Sequence, residues 1–140
     1  MDVEFCTALD RVDRDWLWQQ LTYHAYWANY RTRAMFERQL DCAWRVAGAY
    51  RLDGRMVGFA RAFSDGAAQS YLADVYVDRD HRRRGVASGI LRLMIDEGPG
   101  RDFRWMLHTN DAHPLYAQFG FTAPDSTFMQ RDFRLPPVRP

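Results

Sequence analysis

Lysine is absent from this chain of 140 residues, and all 19 of its basic side chains are arginine. We read this as a mark of genome composition rather than of mechanism, and it leaves no lysine amine open to modification. Cysteine is scarce as well. Cys6 and Cys42 stand alone with no histidines at matching spacing, which argues against a disulfide framework or a zinc site. Two reduced, mostly buried thiols and no metal are expected. No apolar run approaches the ~18 residues that a membrane helix needs. The start, Met1-Asp2-Val3-Glu4, is acidic and unlike a signal peptide, so the cytoplasm is the expected compartment. An excess of either charge is also missing. The 19 basic and 18 acidic side chains leave a net charge of +1, so no overall field draws the protein to nucleic acid or membrane. Apolar material is plentiful: the hydrophobic share is 47%, enough for one domain to bury a core without staples.

The stretch that organises the chain runs from Tyr71 to Ile95. Tyr71-Leu72-Ala73-Asp74-Val75-Tyr76-Val77 reads as a buried strand, Asp78 to His81 as a polar loop, and the residues after Arg82-Arg83-Arg84-Gly85-Val86-Ala87 as an apolar helix. A strand feeding a basic, small-residue turn and then a helix suits a phosphate. The first turn of a helix has unpaired N–H groups and a dipole that favours an anion. Gly85 and Ala87 allow close approach to the backbone, and the arginines add charge-assisted hydrogen bonds. A nucleic-acid patch would use the same arginines, but no second basic stripe supports one.

Around this stretch the order of elements is regular. Val3 to Cys6 suggests a short strand. Asp13 and Thr32 are candidate N-caps for two helices ending near Thr22 and Leu40. Between them, His24 to Arg31 is aromatic and polar together; it is either a packed connection or one wall of a pocket. Trp44 to Arg51 and Met56 to Phe63 read as strands joined by Leu52-Asp53-Gly54-Arg55, a strong hairpin signal. With the strand at Tyr71 they make an antiparallel meander. Gly98-Pro99-Gly100 stops the helix, and Phe103 to His108 returns as a strand, so this unit should be a right-handed parallel crossover. Pro114 suits the first turn of a short helix. Phe121-Thr122-Ala123 and Thr127 to Phe133 suggest a closing hairpin. The expected fold is α/β: a mixed sheet of six or seven strands, mostly antiparallel, with helices on both faces. It fills one domain over residues 1–134, and residues 135–140 form a proline-rich tail. Trp16, Trp18 and Phe133 are candidates either for a homodimer face or for the core.

The pattern Arg82-x-x-Gly85-x-Ala87 after a strand ending in Val77, followed by Leu115-Tyr116-x-x-x-Gly120-Phe121 after the next strand, resembles the GNAT superfamily of acyl-CoA-dependent N-acetyltransferases. The stretches Tyr26-Trp27, Gly58-Phe59-Ala60-Arg61 and Asp111-Ala112 look like a small bacterial branch of it. The resemblance covers about residues 20 to 131.

That resemblance implies acetyl-CoA as co-substrate, with its pyrophosphate on Arg82, Arg83, Arg84, Gly85, Val86, Ala87 and Ser88. It implies a pantetheine arm along Val75, Tyr76 and Val77, with Asn110 near it. An amine of a small molecule or peptide would attack the thioester directly in a ternary complex. Tyr116 is then the candidate to protonate or hydrogen-bond the leaving thiolate, although a phenol on a short helix also suits a core. For the base, Asp74 between apolar neighbours is either a carboxyl of raised pKa or a hydrogen-bond partner of a neighbouring loop, His108 has the right intrinsic range, and a water chain is the third option. Asp111 and His113 are weaker candidates. Tyr26, Trp27, Arg31 and Phe63 would face the acceptor, and Arg31 there would suit an acceptor carboxylate. The alternative is a protein that binds acyl-CoA without turnover, as a sensor or regulatory partner.

Overall fold

The computed structural model describes residues 2–24 and 30–138. A five-stranded sheet runs in the order β1 (Val3–Cys6), β2 (Arg45–Arg51), β3 (Met56–Ser64), β4 (Gln69–Val77), β5 (Arg104–Met106). The first four are antiparallel neighbours, and β4 and β5 are parallel. The helices are α1 (Arg14–His24), α2 (Arg33–Asp41), α3 (Val86–Leu91) and α4 (His113–Ala117). α3 is extended by a wider turn over Arg92–Asp96.

Local chemistry explains most boundaries. The Asp13 carboxylate accepts from the Trp16 N–H at 3.1 Å, and the Thr32 hydroxyl accepts from the Met35 N–H at 3.1 Å, so both caps are as expected. Gly54, at φ 93°, turns the β2–β3 hairpin, and Arg51 N–H closes it onto the Arg55 carbonyl at 2.8 Å. Alternation then sorts the sheet into two apolar faces. Val46, Tyr50, Met56, Phe59 and Tyr76 pack with Leu17, Leu21, Phe36 and Leu40 of α1 and α2. Ala47, Ala49, Val57, Ala60, Ala62 and Leu72 pack with Ile90 and Leu91 of α3. The small residues on this second face let α3 lie close to the sheet.

Several expectations need correction. The sheet has five strands among the described residues, not six or seven, because residues 121–138 form none. Pro124 directly follows the first candidate run and bars its extension, and Asp125 turns the chain by accepting the Thr127 N–H at 2.9 Å. Farther on, Gln130 and Phe133 are drawn to His108 and Tyr30, so the segment is anchored by side chains instead of pairing. The return strand is three residues, not six. Cys6 is half-buried and Cys42 exposed, so the thiols are less buried than expected. Trp16 and Trp18 are half-buried against the α1/α2 core, whereas Phe133 is 69% exposed.

Gly89 shows how closely α3 is seated. A Cβ there would meet the Phe5 ring at 2.2 Å. Gly→Ala inside a helix ordinarily gains up to about 1 kcal/mol. Here Gly89→Ala should instead destabilise by about 1–3 kcal/mol through overpacking, measured by urea unfolding, and Phe5→Leu in the same chain should recover part of the loss.

Candidate active site

β4 carries one residue more than its partner across the middle of the sheet. Phe59 faces Tyr76 and Arg61 faces Ala73, so Asp74 and Val75 together oppose Ala60. Asp74 takes φ 55°, the left-handed region, to make this bulge. The extra residue resets the alternation. Leu72, Val75 and Val77 all belong to the α3 face, while Tyr76 points to α1 and donates from its hydroxyl to Gln20 Oε1 at 2.8 Å.

The Asp74 carboxylate is held by two guanidiniums. Arg31 donates from both terminal nitrogens, at 2.9 and 2.9 Å, and Arg61 donates from Nε at 2.7 Å. Side-chain exposures of 5%, 11% and 10% for Arg31, Asp74 and Arg61 put all three in the interior. Burial alone would raise the carboxyl pKa. The hydrogen bonds and charge of Arg31, with the charge of Arg61, outweigh that and hold it below the ordinary carboxylate value. Of the two readings of Asp74, the raised pKa is overturned and the hydrogen bond to a neighbouring loop is what Arg31 supplies, so Asp74 stays anionic. Arg31, expected to face an acceptor carboxylate, instead clamps this one.

The bulge stands beside a fork. The last rung between β4 and β5 is Tyr71–Met106; beyond it β4 runs on to Val77 with no strand on that side among the described residues. A cleft of about 470 Å³ opens there. Val75, Val77, Arg82, Arg83, Gly85, Val86, Ala87 and Ser88 line it, together with Tyr116, Leu115, Asp111, Ala112 and His81. Sequence reasoning thus finds most of the wall. Tyr76, Arg84 and Asn110 are not on it, Tyr76 because the bulge turns it to the opposite face. His81 was missed; its Nδ1 pairs with Asp78 Oδ2 at 2.9 Å, a contact one turn long that residue spacing alone does not single out.

The basic turn is shaped from its own residues. Arg82 Nε donates to the Val77 carbonyl at 2.9 Å, with its guanidinium 5.6 Å from the Tyr76 ring centroid. Gly85 is left-handed at φ 79° and caps α3 without a side-chain bond. Arg83 is also left-handed, at φ 62°, a strain on the order of 1 kcal/mol for a residue with a Cβ.

The second motif has a mechanical explanation. Pro114 sits in the first turn of α4, and Gly120 at φ 88° reverses the chain so that the Phe121 N–H reaches the Tyr116 carbonyl at 3.2 Å. The Phe121 ring then meets the Tyr116 ring edge-on at 5.9 Å. This fixes Tyr116, 8% exposed, in the cleft wall. Burial, with the nearby Asp111 charge, pushes its phenol up to about 12.

On the other face of the fork, Tyr71 stacks on Phe63 with centroids 4.9 Å apart. Its hydroxyl is hydrogen-bonded to His108 Nδ1, and His108 Nε2 to Gln130 Oε1. Tyr30 packs on Phe133 at 4.6 Å. A second cleft of about 280 Å³ opens over Phe63, Tyr71 and Met106. His108 and Phe63 are thus brought together, while Tyr26 and Trp27 lie outside the described residues. Among the described residues no cluster of metal-binding side chains occurs, and no helix is long and apolar enough to cross a membrane.

The sequence model of the Acetyltransferase (GNAT) family matches residues 8–121. The chain belongs to the GNAT acetyltransferase family. A Xanthomonas campestris pv. campestris protein assigned to that family has the same fold at 33% identity, with TM-score 0.86 over 94% of this chain and 93% of that one. A Deinococcus radiodurans R1 protein assigned as an acetyltransferase aligns at 27% identity and TM-score 0.71, covering 93% and 89%. A Clostridium acetobutylicum protein solved with acetyl-CoA shares the fold at 16% identity and TM-score 0.68, covering 93% and 96%. No curated protein sequence matches. For a GNAT protein the strand count and fork position are the informative features, since the split of β4 from β5 makes the cleft.

The clamp gives a prediction with a definite sign. Because the folded pKa of Asp74 is lowered, its contribution to stability is present above the unfolded value near 3.9 and is lost as pH falls through the folded value. Asp74→Asn should cost about 3–5 kcal/mol at neutral pH by leaving buried guanidiniums uncompensated. Its unfolding free energy should also fall less steeply than the parent's as pH drops below about 4.

Proposed function

We propose that this GNAT protein is an enzyme that moves an acetyl group from acetyl-CoA to a primary amine of a small molecule or peptide, by direct transfer in a ternary complex. The observation that carries the reading is the fork: an unpaired run of β4 backbone in a cleft that also holds the basic turn and a buried tyrosine. The amides of a pantetheine arm suit the backbone groups that β4 turns away from β3 between Leu72 and Tyr76, where β5 no longer pairs with it. The N–H groups at the start of α3, with Arg82 and Arg83, suit the pyrophosphate. This arrangement supports acetyl-CoA as co-substrate.

Tyr116 hydrogen-bonds the departing sulfur. With its phenol at about 12 it is always an O–H at working pH. A thiol titrates nearer 8.5, so full proton transfer from Tyr116 runs uphill and donation of a hydrogen bond to the thiolate is its main contribution. Asp74 is not the base in this reading; its lowered pKa and two arginine partners give it the work of holding the bulge. His108 stands across the fork, where the amine would arrive. The alternative of binding without turnover lacks an observation of its own, because the tyrosine in the cleft wall is a catalytic provision that a sensor does not need.

Acetyl-CoA at 100 times its dissociation constant should stabilise the protein by about 2.7 kcal/mol, seen as a rise in melting temperature; no rise would remove the cleft assignment. Gly85→Val should abolish that rise while the fold persists. Tyr116→Phe should lower turnover by about 10²-fold with acetyl-CoA affinity within two-fold of the parent; an undiminished rate would sink the donor role. Thiol release from acetyl-CoA in the presence of primary amines separates the enzyme from the silent binder.

A further inference from the structure

Tyr71 occupies the vertex of the fork. It forms the last rung with Met106, four residues before Val75, the first cleft-lining residue of β4. Its ring lies on the face opposite α3, paired with Phe63 and open to the second cleft. The hydrogen bonds beyond it fix a direction. Gln130 Oε1 is an amide carbonyl and can only accept, so Nε2 of His108 carries the hydrogen. A neutral imidazole with Nε2–H has a bare lone pair on Nδ1, and that nitrogen faces the Tyr71 O–H. The chain from Tyr71 through His108 to Gln130 is therefore oriented to carry a proton away from the fork, and His108 is exposed.

We propose that Tyr71 is a catalytic residue that takes the proton of the acceptor amine and passes its own to His108, with Gln130 positioning the imidazole. The proposal rests on the amine acetylation put forward above. As the amine nitrogen bonds to the acetyl carbon, one N–H bond breaks and its proton joins Tyr71 Oη. The Tyr71 O–H bond breaks in the same movement, and that proton joins Nδ1, leaving an imidazolium that releases a proton to water. The thiolate leaves on the other side of the fork. Burial and Tyr30, from ahead of α2, oppose ionisation of Tyr71, and Arg61 from β3 favours it. A free phenolate is thus not needed if His108 accepts in step. Phe63 on β3 and Gln130 in the C-terminal segment carry no charge, and the Asp74 charge is matched by its arginines.

The test uses the full chain, acetyl-CoA and a panel of benzylamine, ethanolamine, 1,4-diaminobutane and a short peptide with a free N-terminus, with thiol release as readout. Tyr71→Phe and His108→Gln should each lower kcat by about 10- to 10²-fold, with acetyl-CoA affinity unchanged. Gln130→Glu places a carboxylate on Nε2–H and favours the imidazolium. It should move the acidic limb of the kcat/KM profile up by about one pH unit, a shift that a merely structural contact would not cause. An undiminished kcat in Tyr71→Phe, or an unmoved limb in Gln130→Glu, overturns the proposal while leaving acetyl transfer intact. No thiol release by the parent with any of these amines overturns both readings, and the acetyl-CoA melting shift then shows whether the cofactor cleft survives them.

Discussion

The ion cluster of Asp74 with Arg31 and Arg61 is the constraint on which the rest of the site depends. It binds a carboxylate of β4 to a cation of β3 and to another ahead of α2, so three separate parts of the chain meet at one point. Such a cluster is a poor source of net stability, because desolvation offsets most of the attraction. Its effect is on shape. It holds a non-glycine residue in the left-handed region, and the extra residue so accommodated turns Val75 and Val77 to the same side as Leu72. Without that reset the alternation of β4 would bring Tyr76, not Val75 and Val77, to the cleft.

The two sides of the fork then differ in chemistry. The α3 side has small residues, unpaired backbone, arginines and one phenol that stays protonated. The opposite side has stacked rings and a histidine whose two nitrogens are both engaged. The proposed acetyl transfer, which protects a thiolate at one end and accepts a proton at the other, would use such a separation. The vertex at Tyr71–Met106 joins the two sides.

Much of this was legible in the sequence because the signals were local. Asp53-Gly54, the Thr32 cap, Pro114 and the pairing of Gly120 with Phe121 each act within a few residues, and the turn at Arg82 to Ala87 is contiguous. A loop contact for Asp74 was legible as one of two readings, but its arginine partners were not. Asp74 looks like any polar residue in a strand, and its partner Arg31 is 43 positions away. The same distance problem hid the Tyr71–His108 contact, 37 positions apart. The C-terminal error had another cause. The residues near Thr127 to Phe133 have strand-like composition, but β5 is only three residues long and side-chain anchors at Gln130 and Phe133 compete with pairing. Pattern reports what a segment could do, not whether a partner edge is available.

An unpaired sheet edge is ordinarily a hazard, since any extended chain can add to it and begin an aggregate. In this protein the end of β4 that runs past β5 borders a cleft of about 470 Å³ at Val75 and Val77, and the basic turn and α4 wall that cleft. The basic turn and α4 thereby shield part of an edge that would otherwise lie open to a passing strand.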